Sequence, residues 1–250
     1  MGSRYCKLDI EEVKNDFILE QENIIKVLLC NARLEEIVSG MKDVLKNFKD
    51  DFGDVSAEYS DVINVSNEEL CNFIEKKSLT KSELNRTYVE LYELFERNLK
   101  LILEYIHYQK TEIVFNKSKQ IDGNIVNEII KDPSSIEQII KKYIDENVNK
   151  IIYGKSIEYT INFICKKSKV EINKDTKEKL VGLSTIRNCI VHNKGIVTRK
   201  DFNKAKLLFE DGFEEKFEET FEADVTHYTI KWSSSIYKDT ITAICNALKN

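Results

Sequence analysis

The chain has 250 residues, 42% hydrophobic and 32% charged, a balance that supports a substantial buried core and excludes a disordered polyelectrolyte. A formal net charge of −5 argues against a protein that coats nucleic acid through a broad positive surface, while leaving room for a local RNA site. With one Pro and eight Gly, the chain has too little punctuation for an all-β protein, so a mainly helical fold is predicted. Six cysteines (Cys6, Cys30, Cys71, Cys165, Cys189, Cys245) occur without a C-x-x-C pair, and no apolar stretch is long enough to span a membrane. A reduced, cytoplasmic protein with no membrane association is the expectation.

In chain order, Val13, Phe17, Ile24 and Leu28, then Leu34, Ile37, Met41, Val44 and Phe48, follow helical spacing and predict one long or two consecutive helices over 8–50. The acidic segment from Asp50 to Asp61 breaks that pattern and is read as a hinge, dividing an N-terminal helical region (1–75) from a second domain (80–250). Ser66 with Glu69 and Thr80 with Glu83 form capping boxes. The second opens a helix over 82–110, whose stripe of Leu84, Tyr88, Leu91, Phe95, Ile102 and Ile106 faces the core. Asp132-Pro133 starts a helix through about Asn147, and a further helix covers 155–167. Asp175 with Glu178 is read as the cap of the next helix. Val225 to Trp232, rich in β-branched and aromatic residues, predicts a short strand that Ile196 and Val197 could join, with Ser233 to Ser235 capping a final helix.

The chemistry is concentrated between Leu183 and Gly195. Projected at 100° per residue, Leu183, Ile186 and Ile190 share a core face, while Ser184, Asn188 and His192 fall on another. Arg187 lies about 60° to one side of Ser184 and His192 about 80° to the other. Arg187 can grip a phosphate and His192 can move a proton near neutral pH, but about 140° separates them on an ideal helix. Two arrangements would bring them together. The helix could end near Asn193, with Gly195 in a left-handed terminus that frees His192, or the site could be shared between two subunits. Leu180, Val181 and Val191 flank the polar stripe and suggest a dimer contact there. On spacing alone, a surface ion pair for Arg187 and a helix-terminal cation at His192 explain the same residues. Cys189 reads as a core filler, and His107 and His227 as structural, without partners at metal-ligand spacing.

The string from Arg187 to Val197, with four residues between Arg187 and His192 and a polar Asn188 after the arginine, resembles the HEPN superfamily of the Arg-x4-His ribonuclease type. Tyr92-Glu93-Leu94-Phe95-Glu96-Arg97 is similar to the long first helix of those domains. The resemblance covers residues 80–210 and implies a helical bundle with a short strand pair after the motif helix. It also implies a metal-independent endoribonuclease that needs no cofactor and works as a homodimer with a composite site, either as a toxin or in antiphage defence beside an antitoxin or other partner protein. Arg187, His192 and Asn188 would be catalytic and Asn193 would touch the RNA. From the residues themselves, Lys194 is either an RNA contact or a solvated charge, Glu96 is either an anchor for Arg187 or a solvated charge on its amphipathic helix, and Ser184 supports the site. The alternative is a noncatalytic HEPN module that dimerises and binds a partner protein or nucleotide.

Overall fold

The computed structural model describes residues 9–28, 81–109, 131–132, 135–206, 220–223 and 225–249. The expected helical stretch over 29–50, the hinge at Asp50 to Asp61, the Ser66 and Thr80 caps, Pro133 and the boundary between 75 and 80 lie outside the described residues. What is described is mainly helical with one small antiparallel strand pair: α1 (10–28), α2 (Lys81–Gln109), α3 (Ser135–Ile152), α4 (Ile157–Ser168), α5 (Lys174–His192), β1 (Ile196–Thr198), α6 (Arg199–Ala205), β2 (Thr220–Glu222) and α7 (His227–Lys249). None of these helices is long and apolar enough to cross a membrane.

The axis of the bundle is α2, whose stripe works as its spacing predicts: Tyr88, Leu91, Phe95, Leu99, Ile102, Leu103 and Ile106 are buried. Helices α3, α4, α5 and α7 pack around it. Ile144 and Val148 come from α3, Ile161 and Ile164 from α4, Leu183 and Ile186 from α5, and Tyr237, Ile241 and Ile244 from α7. The Tyr237 ring stacks on Phe95 with centroids 4.5 Å apart. From the N-terminal side, α1 lays Ile10, Val13 and Phe17 into the same core. Its Gln21 amide donates to the Ser234 carbonyl of α7 at 2.9 Å, while Glu20 pairs with Arg97 of α2 and Glu22 with Lys238 of α7.

Two expectations are corrected on the C-terminal side. Residues 227–232 are helical, not a strand: α7 begins at His227, and Thr226 and Thr229 cap it reciprocally, each backbone N–H donating to the other's hydroxyl at 3.2 and 3.3 Å. Ser233 and Ser234 therefore lie inside the helix, buried against the core, and cap nothing. The strand pair does follow the motif helix, but Ile196 and Val197 pair with Glu222 and Phe221 instead of the 225–232 run. Thr198 ends β1 and caps α6 in a capping box with Asp201, which seats Phe202 edge-on against Phe221 of β2. At the start of α5 the cap is Asn173, whose Oδ1 accepts from the Thr176 N–H at 2.7 Å; Asp175 and Glu178 sit inside the helix, paired with Lys179 and Lys174.

Candidate functional site

The arginine of the motif is built by two crossing helices. α5 buries Leu183 and Ile186 against α2, and two tyrosines one turn apart on α2 fix its position. The Tyr88 hydroxyl donates to the Leu183 carbonyl at 2.9 Å, and the Tyr92 hydroxyl to Ser184 Oγ at 2.9 Å. One turn beyond Ser184, the Arg187 guanidinium lies over the Tyr92 ring, 5.5 Å from its centroid. Burial pushes the Tyr92 hydroxyl up to about 12, so it remains a proton donor to Ser184 across the working pH range.

The Arg187 side chain is 19% exposed, and its nitrogens divide their partners. One terminal nitrogen donates to Glu93 Oε1 at 3.3 Å and the other to Asn188 Oδ1 at 3.2 Å, while Nε is buried without an acceptor among the described residues. The expected anchor, Glu96, stands close enough to feel the guanidinium, but Glu93 makes the ion pair. Desolvation raises the Glu96 carboxyl above its ordinary range; Arg187 pulls it down and Glu93 pushes it up. Four groups named from sequence, Arg187, Asn188, Ser184 and Glu96, are thus brought together on one side of the α2–α5 crossing. Tyr92 and Glu93 join them. Their signal was the aromatic-acidic pair itself, since Tyr88 and Tyr92 continue the core stripe and place Glu93 at its edge.

His192 is not brought to this cluster within one chain. It is the last residue of a regular α5 and is exposed, so it keeps the helical spacing and projects about 140° from Arg187. Asn193 is the C-cap, and the left-handed residues are Lys194 (φ 55°) and Gly195 (φ 82°), beyond His192. The Cys189 carbonyl closes the turn by accepting from the N–H groups of both Asn193 and Gly195 at 2.9 Å. Gly195 adopts its left-handed terminus without freeing His192 from the helix. On the flank expected to face a second copy, Leu180 is buried inside its own chain and Val181 is half-buried, whereas Val191 is 45% exposed.

Cys189 is buried, and desolvation with Asp201 nearby pushes its thiol up to about 11, the condition of an inert core thiol. His107 is buried too: Nδ1 donates to the Leu103 carbonyl at 2.7 Å, and the ring stacks on Phe163. The side chain of His227 lies outside the described residues. Among the described residues, no three His, Cys, Asp or Glu side chains stand close enough to hold a metal ion. No family model matches this chain, and no curated protein or solved structure is similar enough to match it.

Proposed function

We propose that the chain is a metal-independent endoribonuclease of the HEPN type, working as a homodimer in which two copies of α5 bring Arg187 and His192 of both chains to one cleft. The observation that carries this reading is the seat of Arg187: a guanidinium set on an aromatic ring, with a buried unpartnered Nε, and with only a partly exposed carboxylate on its outer nitrogen. Such a group is suited to hold a phosphate and to neutralise the charge that grows on its nonbridging oxygens. His192, exposed at the helix end, serves as the base that takes the proton from the ribose 2′-hydroxyl or as the acid that protonates the departing 5′-oxygen. Attack of the 2′-oxygen on phosphorus and loss of the 5′-oxygen leave 2′,3′-cyclic phosphate and 5′-hydroxyl ends. Asn188 orients Arg187, and Asn193 and Lys194 lie at the mouth, where they touch RNA. A role as a toxin or in antiphage defence rests on the resemblance of the motif string alone.

Incubation with RNA in EDTA, followed by analysis of product ends, tests the reading. Cyclic phosphate ends that disappear in Arg187→Ala and His192→Ala support it; cleavage that survives both substitutions overturns the site assignment. A noncatalytic module that binds a partner or nucleotide is favoured by one feature, the Arg187–Glu93 ion pair, which satisfies the arginine within the chain. RNA left intact by the pure dimer, together with R187A-sensitive binding of a nucleotide, selects that second reading.

A further inference from the structure

A groove of about 660 Å³ lies between the first half of α2 and the turn that follows α5, a size suited to one nucleotide. It opens directly onto the Arg187 cluster, because Glu93, the carboxylate that pairs with Arg187, is also part of its wall. Val89 and Ile190 provide apolar surface, and Lys81, Arg86 and Lys194 provide the cations. The carboxylates of the wall are all engaged: Glu222 with Lys81 at 2.8 Å, Glu90 with Arg86 at 2.9 Å, and Glu93 with Arg187 at 3.3 Å. Lys194 is left over, since no carboxylate among the described residues pairs with it. The three cations and three carboxylates of the wall balance, but because Glu93 is drawn to Arg187 outside the wall, Lys194 is the cation left at the groove without an ion pair among the described residues.

The backbone supports the same conclusion. Lys194 adopts φ 55°, a left-handed conformation that a glycine takes without strain and that a lysine takes at a cost. The turn from α5 to β1 has its glycine at the next position, so the residue in the left-handed conformation is one that lines the groove. A third feature is Asn85, whose Oδ1 is buried in the wall with no donor among the described residues. Turning the amide into the groove toward a ribose hydroxyl or a base amino group satisfies it.

We infer that this groove is a subsite for the nucleotide that flanks the phosphate held by Arg187, with Lys194 on the next phosphate along the strand and the base lying against Val89 and Ile190. The inference rests on the ribonuclease reading for its direction toward RNA, and its test separates the two. The probe is a single-stranded 2′-O-methyl hexanucleotide, which the reaction cannot cleave, followed by fluorescence anisotropy between about 50 and 200 mM salt. Each phosphate contact on a single strand contributes a salt slope of about 0.7, so Lys194→Gly weakens binding about fivefold near 0.1 M salt and makes the slope shallower by that amount. Because glycine suits the left-handed turn, Lys194→Gly melts no lower than the parent protein, which separates lost contact from lost fold. Lys174→Ala, the same charge change at the far end of α5, leaves affinity and slope unchanged.

Parent-like affinity and slope in Lys194→Gly overturn the subsite while leaving the ribonuclease reading intact, and so does failure of the parent protein to bind the hexanucleotide while it cleaves RNA. Lys194-dependent binding by a protein that does not cut RNA keeps the subsite and overturns the ribonuclease reading.

Discussion

Tyr92 separates hydrogen bonding from ring support at the arginine, because its hydroxyl and its ring face different partners. Tyr92→Phe removes only the bond to Ser184 Oγ, which is 2.9 Å long and worth about 1 kcal/mol net. Ser184 is only partly buried, so the loss stays near that value. Tyr92→Leu removes in addition the edge contacts to Phe95 and Tyr237, at 6.5 and 6.2 Å, each worth about 0.5–1.5 kcal/mol, and the seat of Arg187 at 5.5 Å, worth about 0.5–1 kcal/mol. Its cost is about 4 kcal/mol. Urea unfolding monitored by circular dichroism measures both. On the functional side, Tyr92→Phe keeps the platform and leaves RNA cleavage within about threefold of the parent, whereas Tyr92→Leu releases Arg187 and loses about tenfold or more. If the two variants unfold within about 0.5 kcal/mol of each other, the ring contributes nothing and the account of how Arg187 is held fails.

Burial holds the His107 imidazole below its ordinary pKa, so the unfolded chain binds its proton first as the pH falls. Its contribution is constant above about pH 6.5 and is lost progressively below it, and the stability difference between the parent and His107→Phe narrows over that acid window; a difference that does not vary with pH refutes this. Asn173→Ala removes the α5 cap and lowers stability by about 1 kcal/mol, whereas Asp175→Ala, inside the helix, costs less; thermal melts of the two variants rank them. A methyl group on Gly154 would sit 2.6 Å from the Lys150 carbonyl oxygen, so Gly154→Ala destabilises by about 1–3 kcal/mol in urea titrations. Gly195→Ala puts a methyl in ordinary van der Waals contact with Glu222 Cγ at 3.7 Å, so its cost is the left-handed penalty, about 1–2 kcal/mol in the same titration.

The helices with a plain apolar stripe were readable from the chain, α2 above all, because Leu, Ile and Phe mark every buried turn. α7 was not, for a physical reason. Its buried positions run Ile230, Ser233, Ser234, Tyr237, Thr240, Ile241, Ile244, so hydroxyl residues occupy two turns of the core face and hide the helical period. The β-branched run before them carries strand propensity, yet reciprocal capping by Thr226 and Thr229 and the packing of Tyr237 on Phe95 decide for helix. At the site, Arg187 and Asn188 were legible as chemistry. The choice between Glu93 and Glu96 was not, since two acids three apart share a helix side and only the approach of α5 selects one. Asn173 was passed over for Asp175 because both types cap, and the backbone of the preceding turn determines which is first.

The buried hydrogen bond from Gln21 to the Ser234 carbonyl also acts as an alignment key. Apolar contacts between α1 and α7 tolerate sliding, because Ile10, Val13 and Phe17 would meet other aliphatic side chains after a shift of one turn. An amide that is 2% exposed does not tolerate it, since a slipped α1 takes the buried Gln21 amide away from its Ser234 acceptor, at a cost of about 1–3 kcal/mol. Greasy surface decides that α1 adheres, and the buried glutamine, with the Glu20–Arg97 and Glu22–Lys238 pairs beside it, decides where. Leu28, the last described residue of α1, consequently sits at a fixed place on the bundle.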